Sequence, residues 1–112
     1  MSQTIGKLQR VIQELRIIQA DMPAQTMLAL TFIYQRNKAG LDATVQDVGR
    51  FLGTSGASAS RNVSMLSKIS YNRNAGAGLV YAVENPDRKI EKFIRMTKEG
   101  EELMSRIEEY LK

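Results

Sequence analysis

Apolar residues in this chain fall into five helical stripes and one pair of alternating runs. From about Gln3 to Ala20, Ile5, Leu8, Ile12 and Leu15 recur at the 3-4-3 spacing of an amphipathic helix. Val11 and Ile18 widen the stripe, and Ile17 lies off it. So broad a stripe predicts that part of it packs in the core and part meets a second copy of the chain. A second helix begins near Pro23, since proline at a first helical position loses no hydrogen bond. Met27, Leu28, Leu30, Ile33 and Tyr34 carry its spacing, and Gly40 suits a left-handed cap at its end. Thr44 and Asp47 form a short capping box for a third helix, with Val45, Val48, Phe51 and Leu52 as its buried face and Gly53 as its stop. A fourth runs from Ser55 or Gly56 to about Ile69. Its residues Ala59, Val63 and Leu66 are spaced to point inward, leaving Ser58, Arg61, Asn62, Ser64, Met65 and Lys68 outward.

The pattern then changes. Ser70 to Gly78 holds two glycines and two asparagines without apolar periodicity and reads as a loop. Leu79–Val83 and Ile90–Met96 read as two strands, the second with Ile90, Ile94 and Met96 on one face and Glu91, Phe93 and Arg95 on the other. Between them, residues 84–89 carry an Asn-Pro-Asp turn signal and the basic pair Arg88 and Lys89, with Asp87 as an orienting partner for Arg88. Thr97 caps a last helix over Lys98–Leu111, whose stripe is Leu103, Met104, Ile107, Tyr110 and Leu111. The order α-α-α-α-β-β-α is mainly helical with a small hairpin. It predicts a single winged helix-turn-helix domain over residues 1–112, with the terminal helices (about 3–20 and 98–111) as contributors to a dimer interface.

Composition narrows the chemistry. The 112 residues include no cysteine, histidine or tryptophan. Disulfides, thiolate metal sites and imidazole acid–base catalysis are therefore excluded, and neither an enzyme nor a cofactor or metal site is expected. Methionines read as core filler, and the glutamates of the last helix as a solvated face. The polar stretch Met1–Lys7 lacks the apolar core of a signal peptide, so a cytoplasmic location without membrane contact is the expectation. Net charge is +4, unevenly spread. Residues 36–98 hold eleven basic and five acidic side chains, whereas residues 99–112 hold two and five. A basic middle and an acidic tail fit a polyanionic partner for the middle alone.

The short third helix, the turn at Gly53 and the fourth helix have the proportions of a helix-turn-helix. Small and polar residues dominate the outward face of the fourth helix, which suits insertion into a groove about 12 Å wide. Ser55, Ala57, Ser58, Ser60, Arg61, Asn62, Ser64 and Lys68 are the candidate contacts there, with Arg61 able to bind guanine or bridge phosphates. Arg73 in the loop and Arg88 and Lys89 in the hairpin add contacts to phosphates or an adjacent minor groove. The partner these residues fit is double-stranded DNA. The competing reading keeps the winged helix but uses it as a protein–protein interaction module.

Over residues 26–104 the chain resembles the MarR family of bacterial transcription regulators. Thr44-Val45-Gln46-Asp47-Val48 through Leu52-Gly53 is similar to that family's first motif helix, and Ser60-Arg61 with Leu66 to its recognition helix. Gly78-Leu79-Val80 resembles the lead-in to the wing, and Asp87-Arg88-Lys89 its tip, with Lys89 where arginine is more usual. Met96-Thr97 followed by Gly100 resembles the Leu-Thr-x-x-Gly signature after the wing. The resemblance implies a homodimeric, repressor-like regulator acting at an inverted-repeat operator. It leaves the effector ligand unspecified. The connection from Leu66 to Gly78 is longer than is usual in the family, and the terminal helices are shorter.

Overall fold

Four of the helices begin at a hydroxyl that accepts a hydrogen bond from the backbone N–H three residues on. Ser2 accepts from Ile5, Thr44 from Asp47, Ser55 from Ser58 and Thr97 from Gly100. The computed structural model describes residues 2–68 and 74–112. Its elements are α1 (Gln3–Ile18), α2 (Ala24–Lys38), α3 (Val45–Leu52), α4 (Gly56–Leu66), β1 (Val80–Asn85), β2 (Arg88–Met96) and α5 (Lys98–Leu111). This is the order expected from the sequence: five helices and an antiparallel hairpin. Pro23 is the N-cap of α2, so the helix starts at Ala24, one residue later than anticipated. Helix α4 closes at Leu66, short of Ile69, and Ile69 itself lies outside the described residues.

At the start of α3 the capping box is complete. The Thr44 N–H donates to Asp47 Oδ2 at 3.0 Å and the Asp47 N–H to Thr44 Oγ1 at 3.1 Å. Partial burial pushes the Asp47 carboxyl up. The Thr44 N–H and the Arg50 guanidinium, 2.6 Å away, outweigh this and hold it below its ordinary value of 3.8. The stabilisation from this carboxylate is therefore intact at neutral pH and fades only as pH falls through the lowered value.

The core joins Leu30 and Ile33 of α2, Val48 of α3, Leu66 of α4, Val80 and Ile94 of the hairpin, and Leu103 of α5. One sequence expectation fails at its margin. Phe51 is half exposed, because Val48 and Gly49 take the core side of the short α3. Its ring stacks on Phe32 instead, with centroids 4.6 Å apart. On α1, only Leu15 is buried, while Ile5, Leu8 and Ile12 are 61%, 49% and 39% exposed. Polar contacts help tie α1 to α5. The Tyr110 hydroxyl donates to Glu14 at 2.8 Å, and the Arg10 guanidinium lies 4.4 Å from the Tyr110 ring centre. Leu28 of α2 also faces outward.

The hairpin pairs Val80 with Met96 through Glu84 with Lys92, then Asn85 with Arg88 around Pro86-Asp87. Both strands reach further toward the tip than the sequence suggested, so Arg88 and Lys89 belong to β2. Between Lys92 and Arg88, residues 89–91 have no counterpart on β1 and form a bulge. The expected placement of Ile90 beside Ile94 and Met96 is lost there, and Ile90 is 92% exposed. Farther along, β2 is tied to the lead-in of α3, where the Ile94 N–H donates to the Ala43 carbonyl at 2.7 Å.

The signature around Thr97 has a physical basis. The Leu79 carbonyl accepts from the Thr97 N–H at 3.0 Å, and the Thr97 hydroxyl donates to the Gly78 carbonyl at 2.8 Å. Gly100 lies so close to the Leu79 carbonyl that a Cβ there would collide with it. Gly100→Ala should therefore cost about 1–3 kcal/mol through overpacking, read as a lowered midpoint in chemical denaturation. An unchanged midpoint would mean that α5 can shift away from the hairpin without loss.

Candidate nucleic-acid interface

The turn between α3 and α4 depends on Gly53, which ends α3 in the left-handed conformation at φ 69°. Thr54 and Ser55 follow, and the Ser55 side chain caps α4 by accepting from Ser58 N–H at 3.2 Å. Gly49 lets the two helices approach, since a Cβ at that position would lie 3.3 Å from Ala59 Cβ. Ala59, Val63 and Leu66 then bury the inner face of α4, as their spacing indicated.

On the outer side of α4, Ser55, Ala57, Ser60, Arg61 and Lys68 are exposed, and Ser58 and Ser64 are half-buried. Asn62 departs from expectation. Its spacing from Ala59 and Leu66 turns it toward α2, where it is only 7% exposed. The buried Thr26 hydroxyl donates to Asn62 Oδ1 at 2.8 Å. Asn62 Nδ2 donates to the Ser58 carbonyl at 3.1 Å and approaches Gln25 Oε1 at 3.4 Å. Asn62 thus fixes α4 against the first turn of α2 rather than projecting from its outer face. Thr26 and Gln25 are 36 and 37 positions upstream, so no local spacing could reveal them as its partners.

Arg88 and Lys89 are exposed on the hairpin, and Arg73 lies outside the described residues. The partner of Arg88 is Glu91 at 3.5 Å, reached across the bulge, in place of the adjacent Asp87. Asp87 instead donates its N–H to Asn85 Oδ1 within the turn. The bulge also brings Arg88, Ile90 and Lys92 around a shallow hollow with Thr44, Val45 and Gln46 at the start of α3. Ile90 and Lys92 were not singled out from the sequence, because the alternation pattern gave no sign of the bulge.

The surface cations differ in how they are paired. Lys38, Arg50, Arg95 and Arg106 each have a carboxylate partner, respectively Glu108, Asp47, Asp42 and Glu14. Among the described residues, the side chains of Arg61, Lys68, Lys89 and Lys92 have no hydrogen-bond or ion-pair partner. Their charge is available to an external anion. No group of His, Cys, Asp or Glu among the described residues is arranged to hold a metal ion, and no helix there is long and apolar enough to cross a membrane.

Three solved structures are similar over most of this chain. Staphylococcus aureus MepR in complex with DNA matches with a TM-score of 0.71 and 19% identity, over 91% of this chain and 73% of MepR. AbfR in its overoxidized form, bound to DNA, matches at 0.64 and 18%, over 92% of this chain and 65% of AbfR. A MarR-like transcriptional regulator from Thermotoga maritima matches at 0.61 and 19%, over 81% of this chain and 56% of its own length. The fold is that of the MarR-type winged helix-turn-helix regulators. No family model and no curated protein matches the sequence. In this MarR-type fold α3 and α4 form the helix-turn-helix, and β1 and β2 form the wing.

The Asn62 contact sets a test of how α4 is held. Asn62→Leu should cost about 1–3 kcal/mol, because the Thr26 hydroxyl is left buried without its acceptor. Adding Thr26→Val should recover most of that loss in chemical denaturation, since both polar partners are then gone. Losses that simply add would show that the two side chains do not act as a pair.

Proposed function

We propose that this chain is a double-stranded DNA-binding transcription regulator that acts as a cytoplasmic homodimer. One observation carries the reading: the exposed side chains of Arg61 on α4, Lys68 just past its end, and Lys89 and Lys92 on the wing have no carboxylate partner among the described residues. Unpaired surface cations bind phosphates at little cost, because no existing ion pair must be broken. Helix α4 would enter the major groove, with Ser60 and Arg61 at base edges and Ser55, Ala57 and Lys68 along the backbone. Arg88 and Lys89 would contact the neighbouring minor groove or its phosphates. That two of the similar structures were solved with DNA is consistent with this arrangement.

The uncovered stripe Ile5, Leu8 and Ile12 on α1 supports the dimer. Apolar surface arranged along one helical face is stabilised by a matching face, and a two-fold pair supplies it from the same sequence. Such a dimer would present two α4 helices to half-sites about one helical turn apart. By occupying an operator it would exclude other proteins, which is repression.

Two measurements test the proposal. Fluorescence anisotropy with duplex DNA across a salt series should show steeply salt-dependent binding. Against a selected operator, Arg61→Ala should lose ~1–3 kcal/mol and relax base preference at one position, whereas Lys89→Ala should weaken all sequences alike and flatten the salt slope by about one unit. Indistinguishable effects from the two variants would refute this division of roles. In sedimentation velocity, Leu8→Glu should turn a dimer into a monomer of unchanged helical content. A wild-type protein that is already monomeric at micromolar concentration would overturn the dimer.

A further inference from the structure

The side chain of Ile90 is the most exposed of the large apolar residues, at 92%. Regular strand alternation would place it with Ile94 and Met96, which are buried. It lies instead in the bulge at residues 89–91, outside the core. Bulges commonly re-aim a side chain near a working site. The bulge also sets the surroundings of Ile90. Lys89 precedes it, and Arg88 and Lys92 line the same shallow hollow. Lys89 and Lys92 have no partner among the described residues, and the Glu91 carboxylate is drawn to Arg88.

An isolated exposed isoleucine is ordinary on a protein surface. One lifted out of a strand's buried face and ringed by cations suits a partner that offers phosphates and apolar surface together. A DNA minor groove does so, with phosphates along both rims and sugar walls and base steps between them. We propose that Ile90 is a minor-groove wedge. The cations of the wing engage the rims while the Ile90 side chain presses on the groove floor, bending the duplex and favouring deformable A·T-rich sequence. The inference rests on the DNA-binding reading and adds to it a residue that selects by shape and deformability rather than by hydrogen bonding.

The exposure of Ile90 makes the test clean, because Ile90→Ser removes no core contact and should leave the thermal midpoint unchanged. The probes are two short duplexes, one with a central run of alternating T-A steps and one of G·C pairs only, labelled at both ends for resonance energy transfer. Wild type is expected to shorten the end-to-end distance of the A·T duplex and to bind it about tenfold more tightly than the G·C duplex. Ile90→Ser should keep the salt slope, since every cation remains, but lose the shortening and about tenfold in affinity for the A·T duplex. A variant that binds and bends both duplexes as wild type does would overturn the wedge. So would a variant that alters sedimentation and leaves bending intact, because Ile90 would then be meeting a second copy of the chain. Failure of wild type to bind either duplex at low salt would defeat the DNA-binding reading itself, before any variant is compared.

Discussion

The backbone of Leu79 is the joint on which the geometry of the interface depends. Its N–H donates to the Leu66 carbonyl at the end of α4, and its carbonyl accepts from Thr97 at the start of α5. Its side chain is buried in the core, and Gly100 closes over it from α5. One residue therefore relates α4, the wing and the last helix. Flanking contacts reinforce it, with Ala77 N–H donating to Met65 and Gly78 N–H to Ser67. The angle between α4 and the hairpin is consequently set by main-chain hydrogen bonds that leave little freedom at either partner. The proposed docking into two grooves at once needs that constraint, since a small misalignment would forfeit one set of contacts.

A second constraint acts from the other side of α4. The pair Thr26 and Asn62 is buried, mutually satisfied and spans two helices. Purely apolar packing between α2 and α4 would tolerate sliding, whereas a buried hydrogen bond penalises any register but one. The two restraints hold α4 at its end and just past its midpoint. On the outer face, Ser60 and Arg61 are exposed and free to meet a ligand.

Much of this was legible in the sequence, and for identifiable reasons. The capping box of α3, the turn at Gly53 and the inward positions Ala59, Val63 and Leu66 are all local, fixed by spacings of three and four residues. What was hidden depends on distant partners or on register. Asn62 looks outward when α4 is considered alone, and only Thr26 makes its inward position tolerable. Ile90 belongs with Ile94 by alternation, but the pairing of Asn85 with Arg88 across Pro86-Asp87 leaves residues 89–91 unmatched. The extent to which α1 is left uncovered was anticipated in part from the breadth of its stripe. That Leu15 alone is buried follows from how little of α1 the core can reach.

The central claim is that α4 and the wing form one surface for duplex DNA. Titration of the isotope-labelled protein with a random-sequence duplex at low salt, followed by amide chemical shifts, tests it most directly. The largest changes are expected in residues 55–68 and 84–92, fading together as salt is raised. Changes confined to α1 and α5, or no change at all, would contradict it.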